Sequence, residues 1–201
     1  MKKYMYSKGF TLIEMLVAVG LFTFIMVIAL GALLVLSGAD RRAEDLKTSV
    51  DNLNFALDSM SRAIRTGTNF HCGAPAVTLN SIKSEPQNCT TGANYFAFIN
   101  SDGALVEYQL DTSCSAQACA IDQQITPPNG QPSGFQPLTA PQVIINDTSP
   151  IFYVVGAPPK SQGDTIQPKV TMLLHGSVAG STHLSSTFNL QTSVTQRLYD
   201  Q

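Results

Sequence analysis

An α+β fold, with one long N-terminal helix packed on antiparallel β-sheet, is predicted by three features of this 201-residue chain. Residues 10–66 contain no proline, and read as one helix that is hydrophobic all round at first and one-faced afterwards. At Thr68 the composition turns to Gly, Pro, Ser and Thr. Beyond it, short apolar runs alternate with polar residues at a period of two, the pattern of strands with one buried and one wet face. Length allows one modest soluble domain once the apolar helix is set aside.

The first half of the helix is apolar on every side. Met15 to Leu36 is 22 residues without a charge, about 33 Å of helix at roughly 1.5 Å per residue and enough to cross a bilayer. Ser37-Gly38-Ala39-Asp40 marks the exit. From there Ala43, Leu46, Val50, Leu53, Leu57, Met60 and Ile64 recur at steps of three and four, with Asp45, Lys47, Asp51, Asp58 and Arg62 between them. That is one apolar stripe on an amphipathic continuation, suited to packing on a sheet. Arg62 and Arg65 in the last turn and Gly67 after it are the chemistry of a helix end.

The strands follow in order. Tyr95 to Ile99 and Leu105 to Leu110, joined through Asn100-Ser101-Asp102-Gly103, form a hairpin pattern. Cys119 to Thr126 is a weaker strand candidate, and Pro127-Pro128-Asn129-Gly130 leads through a loop toward Phe135. Val143 to Ile145, Ile151 to Val155 and Val170 to Leu174 are further strands. The last is the clearest: Leu184, Phe188, Leu190 and Val194 share one face, against Ser185, Thr187, Asn189, Gln191, Ser193 and Thr195. The count is about seven.

The function signal lies at the N-terminus. Lys2, Lys3 and Lys8 precede the span, whereas Asp40, Arg41, Arg42 and Glu44 behind it cancel, so the positive-inside bias puts the leader in the cytoplasm and everything after Leu36 outside. A secretory signal peptide would show a shorter apolar core with a small-residue cleavage site behind it; here Gly9 lies in front. Glu14 is an ionisable group at the edge of the span, a position that costs up to about 2.5–3.5 kcal/mol at worst depth and marks a functional residue. It falls in the first helical turn, where the dipole favours an anion. No Lys, Arg or His occurs between Phe10 and Asp40 to pair with it. A carboxylate merely reaching the headgroups would leave Gly9-Phe10 unexplained.

Gly9-Phe10-Thr11-Leu12-Ile13-Glu14 resembles the N-terminal signature of the type IV pilin and type II secretion pseudopilin family. The resemblance covers about the first thirty residues. It implies cleavage between Gly9 and Phe10 by a membrane prepilin peptidase and N-methylation of Phe10. It also implies that Glu14 neutralises a neighbouring subunit's N-terminal amine during filament assembly. The proline often found midway along this family's apolar helix is missing, and Gly20 and Gly31 occur instead. A strand count near seven exceeds the four-stranded pilin head and looks more like a larger minor pseudopilin, such as the J class of type II secretion, or a minor pilin of the W kind.

The expected organisation is a cytoplasmic leader 1–9 that is removed, a membrane or filament-core helix 10–36, its amphipathic continuation 37–67, and an extracytoplasmic β-rich domain 68–201. Loss of the leader changes the formal charge from −2 to −5, with nine basic against fourteen acidic side chains. That balance argues against broad nucleic-acid binding.

Cys72, Cys89, Cys114 and Cys119 all follow the span, where an even count points to disulfides. Three connectivities are possible; proximity favours Cys72–Cys89 and Cys114–Cys119. A metal site using His71 is disfavoured, because spacings of 17 and 5 match no standard zinc pattern. No catalytic motif is present around His71, His175 or His183, there is no phosphate loop, and Asp102-Gly103 and Gly163-Asp164 are better turns than active-site loops. The neighbourhoods of Asp111 and Asp164 lack the spaced oxygens of a calcium loop.

The expectation is therefore a non-enzymatic filament subunit without a cofactor. Its expected partners are prepilin peptidase, related subunits, an inner-membrane assembly platform and the lipid bilayer. The alternative is a membrane-anchored extracytoplasmic binding module for adhesion, DNA uptake or recognition of a secreted protein.

Overall fold

A computed structural model of the chain describes residues 9–75, 77–111, 119–145, 149–179 and 185–197. The chain divides into two compact units, through Glu44 and from Asp45 onward. A single helix, α1 (Leu12–Thr66), contributes to both.

In the first unit α1 runs unbroken through Gly20 and Gly31. The stretch is long and apolar enough to cross a membrane, and its most apolar part buries nothing in the protein. Among the described residues every large side chain from Leu12 to Leu36 faces outward. Thr23 is the one hydroxyl between Met15 and Leu36, and it donates to the carbonyl of Gly20 at 2.9 Å. That back-bond satisfies it within the helix, which an apolar surround requires.

In the second unit α1 buries Ser49, Leu53, Ala56, Leu57, Met60 and Ile64. The apolar stripe thus begins later than its sequence pattern: Ala43 and Leu46 are exposed and Val50 is half-buried. Ser49 takes the first buried position because its hydroxyl donates to the carbonyl of Asp45 at 2.9 Å, leaving no unpaired polar group. On the outer face Asp58 and Arg62 form an i,i+4 ion pair. The helix stops where expected, with the Gly67 amide donating to the carbonyl of Ile64 at 3.0 Å. A Cβ at residue 67 would collide with the Phe98 ring, so glycine is required there by packing.

Ten strands lie among the described residues, against about seven predicted. Five form one antiparallel sheet in the order β1 (Thr68–Cys72), β3 (Tyr95–Ile99), β4 (Leu105–Leu110), β5 (Ile121–Thr126), β6 (Gln136–Pro137). The second sheet runs β10 (Ser185–Thr195), β9 (Lys169–Ala179), β8 (Phe152–Val155), β2 (Cys89–Ala93). In it β10 covers one edge of β9 along its whole length, while β8 and β7 (Val143–Ile145) share the other edge end to end. The predicted hairpin is present as β3 and β4, paired from Tyr95–Gln109 to Ile99–Leu105. Its turn is closed by the Asn100 side chain, which accepts from the amides of Asp102 and Ala104.

The extra strands are β1, β2 and β6, and each owes its state to partners rather than to pattern. β2 is Cys-Thr-Thr-Gly-Ala, short and polar, and it is irregular between Cys89 and Ala93. Gly92 there has φ 85° and lies against Pro150 and Tyr153. β6 is two exposed residues on the rim of β5. Leu184, placed by its pattern in the last strand, lies outside the described residues. Phe188, Leu190 and Val194 do share the inward face of β10.

One core joins α1 to both sheets. Leu53, Leu57, Met60 and Ile64 meet Phe70, Phe96 and Phe98 of the first sheet and Phe152, Val170 and Met172 of the second. The aromatic rings at its centre sit 5.5–6.2 Å apart in edge and offset contacts, the separations such rings prefer. The first sheet also buries its other face. There Tyr95, Ala97, Ile99 and Leu105 pack under Val77 and Ile82 in a separate apolar cluster.

Candidate functional site

The motif residues sit at the very start of α1. Gly9 and Phe10 are exposed and precede the helix, with Phe10 78 % accessible and open space around Gly9. The peptide bond between them lies ahead of the helical hydrogen bonds, the first of which runs from the Met15 amide to the carbonyl of Thr11 at 3.2 Å. Gly9 and Phe10 thus lie outside the regular helix, immediately before it. Glu14 is exposed in the first turn, where it faces the positive end of the helix dipole.

Thr11, within the same motif, caps the helix. Its Oγ1 accepts from the backbone amide of Glu14 at 3.3 Å, which makes Thr11 the N-cap and Glu14 the third helical residue. Thr-x-x-Glu ahead of an apolar run is the capping-box pattern, and it was present in the sequence as a signal. The cap fixes where the helix begins, so that Leu12 and Ile13 are helical and Phe10 lies outside the helix.

The cysteine expectation is met where it can be seen. Cys72 and Cys89 are bonded, with Cα atoms 5.6 Å apart. Cys119 is also in a disulfide, and Cys114, its expected partner, lies outside the described residues. His71 is buried away from solvent, its Nδ1 2.7 Å from the carbonyl oxygen of Glu85. His175 is on the outer face of β9, with Nδ1 2.6 Å from Oδ1 of its cross-strand partner Asn189. His183 lies outside the described residues. Among the described residues no three His, Cys, Asp or Glu side chains converge as a metal site. Asp164 caps its own turn, accepting from the amide of Ile166 at 2.9 Å. Burial pushes the Asp122 carboxyl above the usual carboxylate range, and the like charge of Asp111 adds to the shift.

Residues 4–37 match the family described as the prokaryotic N-terminal methylation motif. That segment includes Gly9, Phe10 and Glu14 and ends one residue past the apolar run. No significant match exists among curated proteins or among solved structures.

Proposed function

We propose that this chain is a structural subunit of a pilin-type filament, either a type IV pilus or a type II secretion-like filament. The observation that carries the reading is the match to the methylation motif over residues 4–37, joined to an apolar N-terminal stretch of helix that is not buried within the protein. A helix bare on all sides has two suitable surroundings, lipid and other helices of its kind.

The mechanism follows from chemistry. The chain inserts with its leader in the cytoplasm and its β-rich domain outside. Prepilin peptidase cuts between Gly9 and Phe10, and Phe10 acquires a methyl group on its new α-amine. With Lys2, Lys3 and Lys8 removed in the leader, that amine is the nearby cation, since no basic side chain exists from Thr11 to Ala39. Moving the helix from lipid to a filament core trades one apolar environment for another, so the net hydrophobic gain is small. Helix packing and the pairing of Glu14 with a neighbour's amine then set the register. The strand-rich domain suits a minor subunit of the J or W kind, with its β surface facing outward or at the tip.

Two measurements test this. Mass spectrometry of the protein from cells with an active prepilin peptidase should show a chain beginning at methylated Phe10; retention of Met1 to Gly9 overturns the proposal. Glu14→Gln should be processed normally yet fail to enter sheared filaments, whereas normal incorporation would reduce the helix to a plain anchor. That second result would favour the membrane-anchored binding module.

A further inference from the structure

On the face of the first sheet turned away from α1 there is a cleft of about 550 Å³ with a carboxylate at its floor. The carboxylate is Glu107 of β4, only 6 % exposed. Its Oε1 accepts from the Tyr95 hydroxyl at 2.8 Å and its Oε2 from the Gln124 side-chain amide at 2.8 Å. Both donors are neutral and firmly held. Tyr95 is itself buried, with its hydroxyl also engaged by the backbone of Val77, and Gln124 is the cross-strand neighbour of Glu107. The opposite neighbour is Ala97, whose small side chain leaves the carboxylate room on that side.

Two hydrogen bonds leave a carboxylate with acceptor capacity unused, and neutral donors do not cancel its charge. Asp58 and Arg62 form their ion pair elsewhere, on the outer face of α1. A charge this buried is costly unless an opposite charge joins it. Glu107 lines the cleft together with apolar Val77, Leu79, Leu105, Pro128 and Phe135, and with the polar side chains of Thr78, Asn80 and Thr126.

We infer that this cleft binds a lysine or arginine side chain of a partner protein, its hydrocarbon stem against the apolar walls and its cationic head on Glu107. Charge, stem and volume agree. The cleft lies within the size range of small-ligand sites, about 300–1,000 Å³, and holds one long side chain with part of the segment that carries it. Long basic side chains bury their methylenes and present their charge at the end, which is the polarity of this cleft. A hard metal ion fits poorly, because Glu107 is the one carboxylate lining the space and calcium takes about six to eight oxygens. The net negative charge of the chain also favours a basic partner.

The test uses the full processed chain in detergent micelles, labelled for amide NMR. The probes are Nα-acetyl-lysine methylamide and Nα-acetyl-arginine methylamide, with the norleucine analogue as the uncharged control. At least one basic probe should shift the Gln124 side-chain amide saturably and bind about tenfold more tightly than the norleucine analogue. Glu107→Gln, which keeps shape and hydrogen bonding, should abolish that preference. Phe135→Ala removes a half-buried wall residue and leaves the carboxylate network intact; it should weaken the basic probe severalfold, and it serves if the Glu107 variant does not fold. Equal binding of the norleucine analogue, no saturable shift with either basic probe, or unchanged binding in a folded variant overturns the inference. So does calcium chloride or putrescine saturating the site while both basic probes fail.

Discussion

Cys72 and Cys89 tie the last residue of β1 in one sheet to the first residue of β2 in the other. The backbone around them does the same, since the amides of Cys72 and Gln87 exchange hydrogen bonds with the carbonyls of Gln87 and Phe70. The loop they close spans 17 positions, for which chain-entropy arguments give roughly 3 kcal/mol. Replacing both cysteines by alanine should lower the unfolding free energy of the β-rich unit by about 2–4 kcal/mol, read by urea denaturation of the micelle-bound protein. A loss below about 0.5 kcal/mol would mean that the shared core already holds the sheets without the covalent tie.

The two faces of α1 beyond the membrane stretch should respond in opposite ways. Met60 is fully buried among the aromatic rings, whereas Phe55, five residues earlier, is 71 % exposed. Met60→Ala leaves a cavity and should cost about 2–5 kcal/mol. Phe55→Ala should change the monomer's stability by no more than about 0.5 kcal/mol. Comparing the two by urea titration checks the helix orientation directly.

How far the sequence could be read followed the range of the interactions involved. The helix was legible because Leu53, Leu57, Met60 and Ile64 keep a strict spacing and Gly67 closes it. The hairpin was legible because a turn with Asp102-Gly103 separates two apolar runs. Where partners decide, the pattern was silent or misleading. Leu46 belongs to the stripe by spacing, yet it lies outside the buried core at 37 % exposure. Thr90 and Thr91 are strand residues only because β8 lies beside them. Thr11 was in view within the motif, but its role depends on which residue starts the helix. The Glu107 cleft was not legible at all, since one wall comes from residues 77–79 and the other from 128–135.

Tyr95 and Tyr108 should give the domain an alkaline limit. Burial pushes both hydroxyls well above the ordinary tyrosine range, and for Tyr95 the neighbouring Glu107 adds to the effect. The folded state therefore keeps protons that the unfolded chain releases near pH 10. The stabilisation is fully present below about pH 10 and is lost as pH rises from there toward the folded-state values. Each tyrosine can contribute a decline of up to about 1.4 kcal/mol per pH unit. Tyr108→Phe forfeits one hydrogen bond from Gln123, 3.3 Å long, so it should change stability little at pH 8 and flatten the fall between pH 10 and 11. An unaltered alkaline slope in urea titrations would mean that Tyr108 ionises as freely in the fold as outside it.

The cap at Thr11 makes the most local prediction. The first-turn amides of a helix have no partners within it, and in an apolar surround they cannot turn to water. Thr11 meets one of them, the amide of Glu14, through its side chain. Thr11→Val keeps size and branching but removes that acceptor, at a cost of about 1 kcal/mol. By hydrogen exchange in bicelles the Glu14 amide should then exchange roughly fivefold faster, while amides near Met60 stay unchanged. Because the cap also sets the position of the Glu14 carboxylate relative to residue 10, Thr11→Val should lower filament incorporation without blocking cleavage after Gly9. Incorporation at the wild-type level, with exchange at Glu14 accelerated as expected, would show that the proposed pairing of Glu14 does not depend on the cap.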